Sequence, residues 1–117
     1  MRGISLHPDQ TSSQDLSLGA LSYTASYGKR FKLDEVLINF SQNVSETVTV
    51  IMVSANGANY NVPLDIYTLG SESRYVFRPT GEANFQAGDK IKVQCTNANL
   101  IGIAYLTIKS SMLGSGG

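Results

Sequence analysis

The pattern of apolar and polar positions is clearest between Phe31 and Gly70, where two strand-length runs meet at an Asn-Gly turn. Val48, Val50 and Met52 alternate with Thr49, Ile51 and Val53; after Ala55-Asn56-Gly57-Ala58, apolar residues return at Tyr60, Val62, Leu64 and Ile66. A period of two sends successive side chains to opposite faces of a sheet. Asn-Gly tolerates the positive φ angles of tight hairpin turns, so the two runs are expected to pair as a hairpin.

The same period marks the rest of the chain. Leu21, Tyr23 and Ala25 predict a first strand. Phe31 and Leu33 open a second on one phase, and Val36, Ile38 and Phe40 continue on the other, a shift that a β-bulge near Asp34-Glu35 would produce, the alternative being two short strands with a bend between them. Ser41-Gln42-Asn43 reads as a turn. Pro63 cannot donate to a ladder, so its run is an edge strand or is broken at a bulge. Tyr75 and Phe77 predict a further strand after Gly70-Ser71-Glu72-Ser73, and Pro79-Thr80-Gly81-Glu82 turns the chain again. In Phe85-Gln86-Ala87-Gly88-Asp89-Lys90-Ile91-Lys92-Val93 an apolar anchor and a Gly-Asp turn lead into an alternating strand, with Ile91, Val93 and Cys95 facing inward. The last run, Leu100 to Ile108, is apolar on both phases, which predicts burial on both faces. About seven to eight short strands with regular turns predict an all-β fold, an antiparallel two-sheet sandwich of jelly-roll-like form. With no Trp and one Cys, a true immunoglobulin domain is disfavoured.

Three segments follow. Residues 1–20 read as an N-terminal arm: the stretch is polar apart from Ile4, Leu6, Leu16 and Leu18, which are expected to bury against a partner, and a short helical turn from Ser13 to Leu18 is compatible with it. Residues 21–109 are the β-sandwich domain. Residues 110–117 read as a flexible Gly/Ser-rich tail, with Met112 and Leu113 as a docking spot. One face of the final strand should meet the core; the other is expected to meet the arm, another layer or a neighbouring subunit, with a subunit interface through Ile101, Ile103 and Tyr105 or through the opposite phase.

Composition narrows the function classes. Nine Lys plus Arg balance nine Asp plus Glu, so nucleic acid is not an expected partner. Charged residues make up only 15% of the chain, which leaves more uncharged surface for protein association. No run approaches the roughly 20 apolar residues of a membrane helix. Leu6-His7-Pro8-Asp9-Gln10 interrupts the apolar core of a leader, so synthesis in a cytoplasm is expected. His7 is the single histidine and Cys95 the single cysteine. No nucleophile with a base and no converging metal ligands can be assembled from them. Asp34 and Glu35 are neighbours and point to opposite faces of a strand. The expectation is therefore a non-enzyme with no catalytic residue, metal, cofactor or small-molecule substrate. Tyr60, Phe77, Phe85 and Tyr105 fall on apolar phases and are expected in the core; Tyr23, Tyr27 and Tyr67 lie near strand ends and are expected outside.

Phe31-Lys32-Leu33-Asp34-Glu35-Val36, the Val48–Val53 strand and the Phe85–Val93 phrase together resemble the small β proteins encoded among tailed-bacteriophage structural genes, head decoration or cement proteins among them. The likeness is one of layout and covers roughly residues 20–109. It implies a virion structural protein, made in the host cytoplasm, that binds the major capsid protein on the outside of the head as a homo-oligomer and braces neighbouring capsomers. Two other readings stay open. One is a carbohydrate- or receptor-binding sandwich of a tail or fibre, with Asn56, Asn59, Tyr60, Asn97 and Asn99 gathered at one loop end; the other is a head–tail connector component.

Overall fold

A computed structural model describes residues 9–79 and 84–112. Within them lie nine strands: β1 Gln10–Asp15, β2 Leu21–Ser26, β3 Phe31–Val44, β4 Thr47–Val53, β5 Val62–Thr68, β6 Glu72–Phe77, β7 Asn84–Phe85, β8 Lys90–Cys95 and β9 Ile103–Met112. They form two antiparallel sheets. Sheet A has the order β1-β9-β3-β6, with the short β7 added to β3; sheet B has the order β2-β8-β4-β5. Leaving β7 aside, four nested pairs are present, β4–β5, β3–β6, β2–β8 and β1–β9, as though one long hairpin had been folded at the β4–β5 turn. Rolling that hairpin up brings β9 beside β3 and β8 beside β4, which is the winding of a jelly roll.

The core lies between the sheets. Phe31, Leu33, Val36, Ile38, Ala104, Leu106 and Ile108 of sheet A face Leu21, Ala25, Val48, Val50, Ile91, Val93 and Cys95 of sheet B, all buried. Each large aliphatic side chain taken fully from water contributes roughly 1.5–3 kcal/mol. Tyr27 stacks on Phe31 with ring centroids 3.9 Å apart, and Phe85 follows at 5.3 Å from Phe31.

The expected β-bulge is present: the β3–β9 register shifts between Leu33 and Glu35. Pro63 meets both of its constraints, because β5 is the edge strand of sheet B and its register shifts beside Pro63. The Asn-Gly turn does join a hairpin, but through residues 54–61 and a 3-10 turn at Ala58–Tyr60 rather than by a two-residue connection. Gly57 takes a φ of 115° there. Asn61 Oδ1 and Asp89 Oδ1 each accept a backbone amide of this loop, from Ser54 and Ala55, at 2.8 Å.

Other expectations are corrected. Ser41-Gln42-Asn43 is not a turn; β3 continues through it to Val44, which pairs with Glu72. The arm does not stand apart from the sandwich: from Gln10 to Asp15 it is the edge strand of sheet A, paired with β9 residue by residue. No helix forms between Ser13 and Leu18. Asp15 instead accepts the amides of Leu18 and Gly19 on its carbonyl, and the Ser17 amide and hydroxyl on Oδ1, closing a tight turn after the strand. The two open rims of the sandwich are bridged in a similar way. At one, the Tyr23 hydroxyl of β2 donates to Gln10 Oε1 of β1 at 2.7 Å; at the other, the Tyr75 hydroxyl of β6 donates to Asp65 Oδ2 of β5 at 2.6 Å.

Candidate functional site

The expected partner-binding residues divide sharply. Ile4 and Leu6 lie outside the described residues. Leu16 is fully buried in the core, so it serves this fold and is not free to meet a partner; Leu18, two residues on, is 82% exposed. The turn at Asp15 separates them, sending one leucine inward and the other into solvent. Of the expected subunit interface, Ile103 and Tyr105 share the outer face of sheet A, and Ile101 lies in the loop that leads into β9. Tyr105 is 49% exposed and Ile101 40%, so Tyr105 is not the core residue its phase suggests.

Strand register shows what surrounds Tyr105. Directly opposed residues share a face. One row across sheet A runs Ser13, Tyr105, Asn39, Arg74, and the next runs Thr11, Thr107, Leu37, Val76. Four strands at about 4.8 Å spacing make a surface about 14 Å across. On this face Tyr105 and the half-buried Leu37 lie on the two central strands beside Thr107 and Asn39, the exposed Val76 lies on the edge strand β6, and Ile103 shares the Tyr105 side of β9; Leu100 and Ile101 are exposed in the loop before it. Charges stand at its margins. Arg78 donates to Glu35 at 2.8 Å, the single ion pair among the described residues, and the Asp34 carboxylate accepts from the Ser111 hydroxyl at 2.6 Å.

A cleft of about 380 Å³ opens at the β5–β6 rim, lined by Asp65, Tyr67, Glu72, Arg74, Tyr75 and Val76. Alternation places Asp65 and Tyr67 on the inward phase of β5, opposite the buried Val50 and Val48. Tyr75 is inward on β6, opposite Ile38. The rings of Tyr67 and Tyr75 lie 6.0 Å apart. The Tyr67 hydroxyl donates to Glu72 at 2.9 Å, and Glu72 also accepts the Gly70 amide. Burial first, then the bond to Asp65 and its charge, push the Tyr75 phenol well above its ordinary range. The hydrogen bond from Tyr67 to Glu72, then the Glu72 charge, raise Tyr67 as well. Both hydroxyls are therefore fixed donors at neutral pH.

Glu46, between β3 and β4, is 1% exposed. It accepts from the Thr96 hydroxyl at 2.7 Å, the Ala98 amide at 2.9 Å and the Asn99 amide at 2.8 Å, so that one carboxylate shapes the β8–β9 loop. Burial acts to raise its pKa, but the Thr96, Asn99 and Ala98 hydrogen bonds outweigh it and the net shift is downward. Cys95 is buried, and burial with the nearby Glu46 charge pushes its thiol up to about 12, which removes any thiolate nucleophile at neutral pH.

The amide and tyrosine residues expected at one loop end do not meet. Asn56, Asn59 and Tyr60 follow the Val53 end of β4, whereas Asn97 and Asn99 sit beside Glu46 at its Thr47 end, about 20 Å away by strand rise. The Asn97 and Asn99 side chains, moreover, donate to the Leu16 and Ser45 carbonyls and hold their own loop. Tyr27 is buried and bonded to Ser110 rather than exposed, and Tyr60 is 63% exposed rather than in the core. Among the described residues no group of three or more His, Cys, Asp or Glu could hold a metal ion, and no helix is long and apolar enough to cross a membrane.

No protein-family model matches the chain, and no curated protein matches it in sequence. Among solved structures, PirA superposes with a TM-score of 0.49 at 12% identity, over 96% of this chain and 97% of that one. The core of Drosophila NLP, described for its pentamer formation and histone binding, superposes with a TM-score of 0.42 at 12% identity, over 87% of this chain and 96% of that one. Neither is a pointer to phage structural proteins, and similarity at this level says nothing of ligand or partner.

Proposed function

We propose that this protein is a non-enzymatic structural module that attaches to a protein surface through the outer face of sheet A. The observation that carries the reading is the patch around Tyr105: with Leu37 and Val76 it makes three half-exposed or exposed apolar side chains on neighbouring strands, Ile103 shares the face, and the charge in their rows, Arg74, sits on the edge strand β6. Interface cores are depleted in charge and enriched in tyrosine, and this patch has that character. Together with the phage resemblance of the sequence, it makes a capsid decoration or cement protein the reading we favour. The module would form a homo-oligomer, bind the major capsid protein on the outside of the head and stabilise contacts between capsomers. A protein that binds only the assembled shell stabilises it by mass action, and repetition about symmetry axes multiplies the effect.

The test is light scattering of the purified protein followed by co-sedimentation with assembled shells, with Tyr105→Ser in parallel. The wild type is expected to form a discrete oligomer and to pellet with the shells. The variant should stay folded with a loss of about 1–2 kcal/mol, since about half of Tyr105 is covered by its neighbours, and should remain in the supernatant. A wild-type monomer that ignores the shells overturns the reading.

A further inference from the structure

We propose that the β5–β6 cleft is a binding site for a neutral saccharide, hydrogen-bonded by Asp65, Glu72 and Arg74 and stacked on Tyr67. This inference does not rest on the assembly role argued above, although Arg74 and Val76 border both surfaces. The cleft volume of about 380 Å³ lies within the range of small-ligand sites, roughly 300–1,000 Å³. It has three kinds of wall. The first is aromatic: Tyr67 is 42% exposed, and its hydroxyl is tied down by Glu72, so the ring is held in place before any ligand arrives. The second is acceptor capacity. An ionised carboxylate has about four lone-pair sites; Asp65 uses Oδ2 for Tyr75, and Oδ1 accepts nothing among the described residues. The third is donor capacity. Arg74 lines the cleft from the edge strand β6, is exposed and makes no hydrogen bond or ion pair among the described residues, so its planar fork of donors is free to turn over the rim toward a ligand.

Charge selects the ligand class. A simple cation would be drawn to Asp65 and Glu72 but would meet the Arg74 guanidinium. A simple anion would suit Arg74 but would meet two carboxylates. A ring bearing several hydroxyls satisfies all three groups at once, because each hydroxyl donates and accepts. It donates to Asp65 and Glu72, accepts from Arg74 and lays its apolar C–H face on Tyr67. The Tyr67 and Tyr75 hydroxyls, already committed to carboxylates, leave the ring faces rather than the polar tips to the ligand.

The experiment follows the backbone amide resonances of isotopically labelled protein during titration with glucose, galactose, mannose, N-acetylglucosamine and their disaccharides. Acetate, ethylammonium and glycine serve as ionic comparisons. At least one sugar is expected to shift the amides of residues 65–67 and 72–76 saturably, with a Kd of the order of millimolar. Arg74→Met and Tyr67→Ala should each weaken it by about tenfold or more, while Tyr67→Phe, which keeps the ring but loses its tie to Glu72, should fall between Tyr67→Ala and wild type. The thermal midpoint of each variant checks its fold, and Arg74→Met, at an exposed and unbonded side chain, is the variant expected to leave it unmoved. The proposal is overturned if no sugar shifts these resonances, if only the ionic probes do, or if Arg74→Met binds the sugar as wild type does.

Discussion

Replacing Glu46 by alanine removes the acceptor for three donors at once: the Thr96 hydroxyl and the Ala98 and Asn99 amides, at 2.7, 2.9 and 2.8 Å. A hydrogen bond to a charged group contributes about 1.5–3 kcal/mol net. The three do not add in full, because Thr96, Ala98 and Asn99 are exposed and water can replace part of what is lost. A loss of about 3–4 kcal/mol is expected for Glu46→Ala, and about 2 kcal/mol for Glu46→Gln, which keeps one acceptor oxygen but turns an NH₂ group toward an amide. For a domain of this size about 1 kcal/mol corresponds to roughly 4 °C, so the alanine variant should melt roughly 12–16 °C lower. The carboxylate also sets a pH signature. Its native pKa is lowered from 4.5, so its contribution is fully present above that value and is lost as pH falls through the lower native one. Wild type and Glu46→Gln should therefore differ most at pH 7 and converge as the pH falls through the lowered native pKa, below which both side chains are uncharged. Urea unfolding of the two proteins across that range is the assay. Equal stabilities at pH 7, or a gap that does not narrow on acidification, would refute the account of Glu46 as a charge-assisted clamp.

Other expectations are quicker to check. Leu16→Ala should cost about 2–5 kcal/mol in chemical denaturation, as for a core leucine; a residue on a detached arm would cost nothing. Tyr27→Phe should cost about 1–2 kcal/mol by leaving the Ser110 hydroxyl, 2.7 Å away and buried, without its partner, and a double-mutant cycle with Ser110→Ala should show the two changes to be non-additive. With its thiol pushed up to about 12, Cys95 should resist a thiol reagent at pH 8 in the native protein and react only at the rate of unfolding; stoichiometric labelling of the folded state would contradict that.

Alternation makes β2, β4 and β8 legible, and the phase change at Asp34 and the proline at position 63 locate two of the three register shifts among the described residues, because these features act within a few residues along the chain; the third, between Asn39 and Val44, leaves no such mark. The buried place of Leu16 escapes the sequence pattern for a definite reason. β1 is an edge strand whose inward residues, Gln10, Ser12 and Gln14, are polar and only half buried, so the segment lacks the apolar alternation by which a strand is recognised. Its one apolar anchor follows the strand, after the turn begins. Tyr105 shows the complementary limit. Both phases of β9 are apolar, and period two separates the faces without saying which is inside; pairing with β1 and β3 decides it. The β5–β6 cleft left a weak local trace, Asp65 and Tyr67 two apart on one strand face. Glu72, Arg74 and Tyr75 join them only because the chain crosses from sheet B to sheet A at residues 69–71, which is a matter of topology rather than pattern.

The pairing of Gln10 with Ile108 has a mechanical consequence. The chain enters β1 beside the place where β9 approaches its own end, so a force applied through the two ends acts at one corner of sheet A. Antiparallel ladder bonds lie perpendicular to their strands, and a pull at that corner loads them one pair at a time, from Gln10 toward Asp15. Such a strand peels like a zipper at low force instead of resisting as a row in shear. If the module is tethered in series through both ends, β1 yields first and exposes Leu16 and the edge of β9; if it is held by one end, the ladder bears no load.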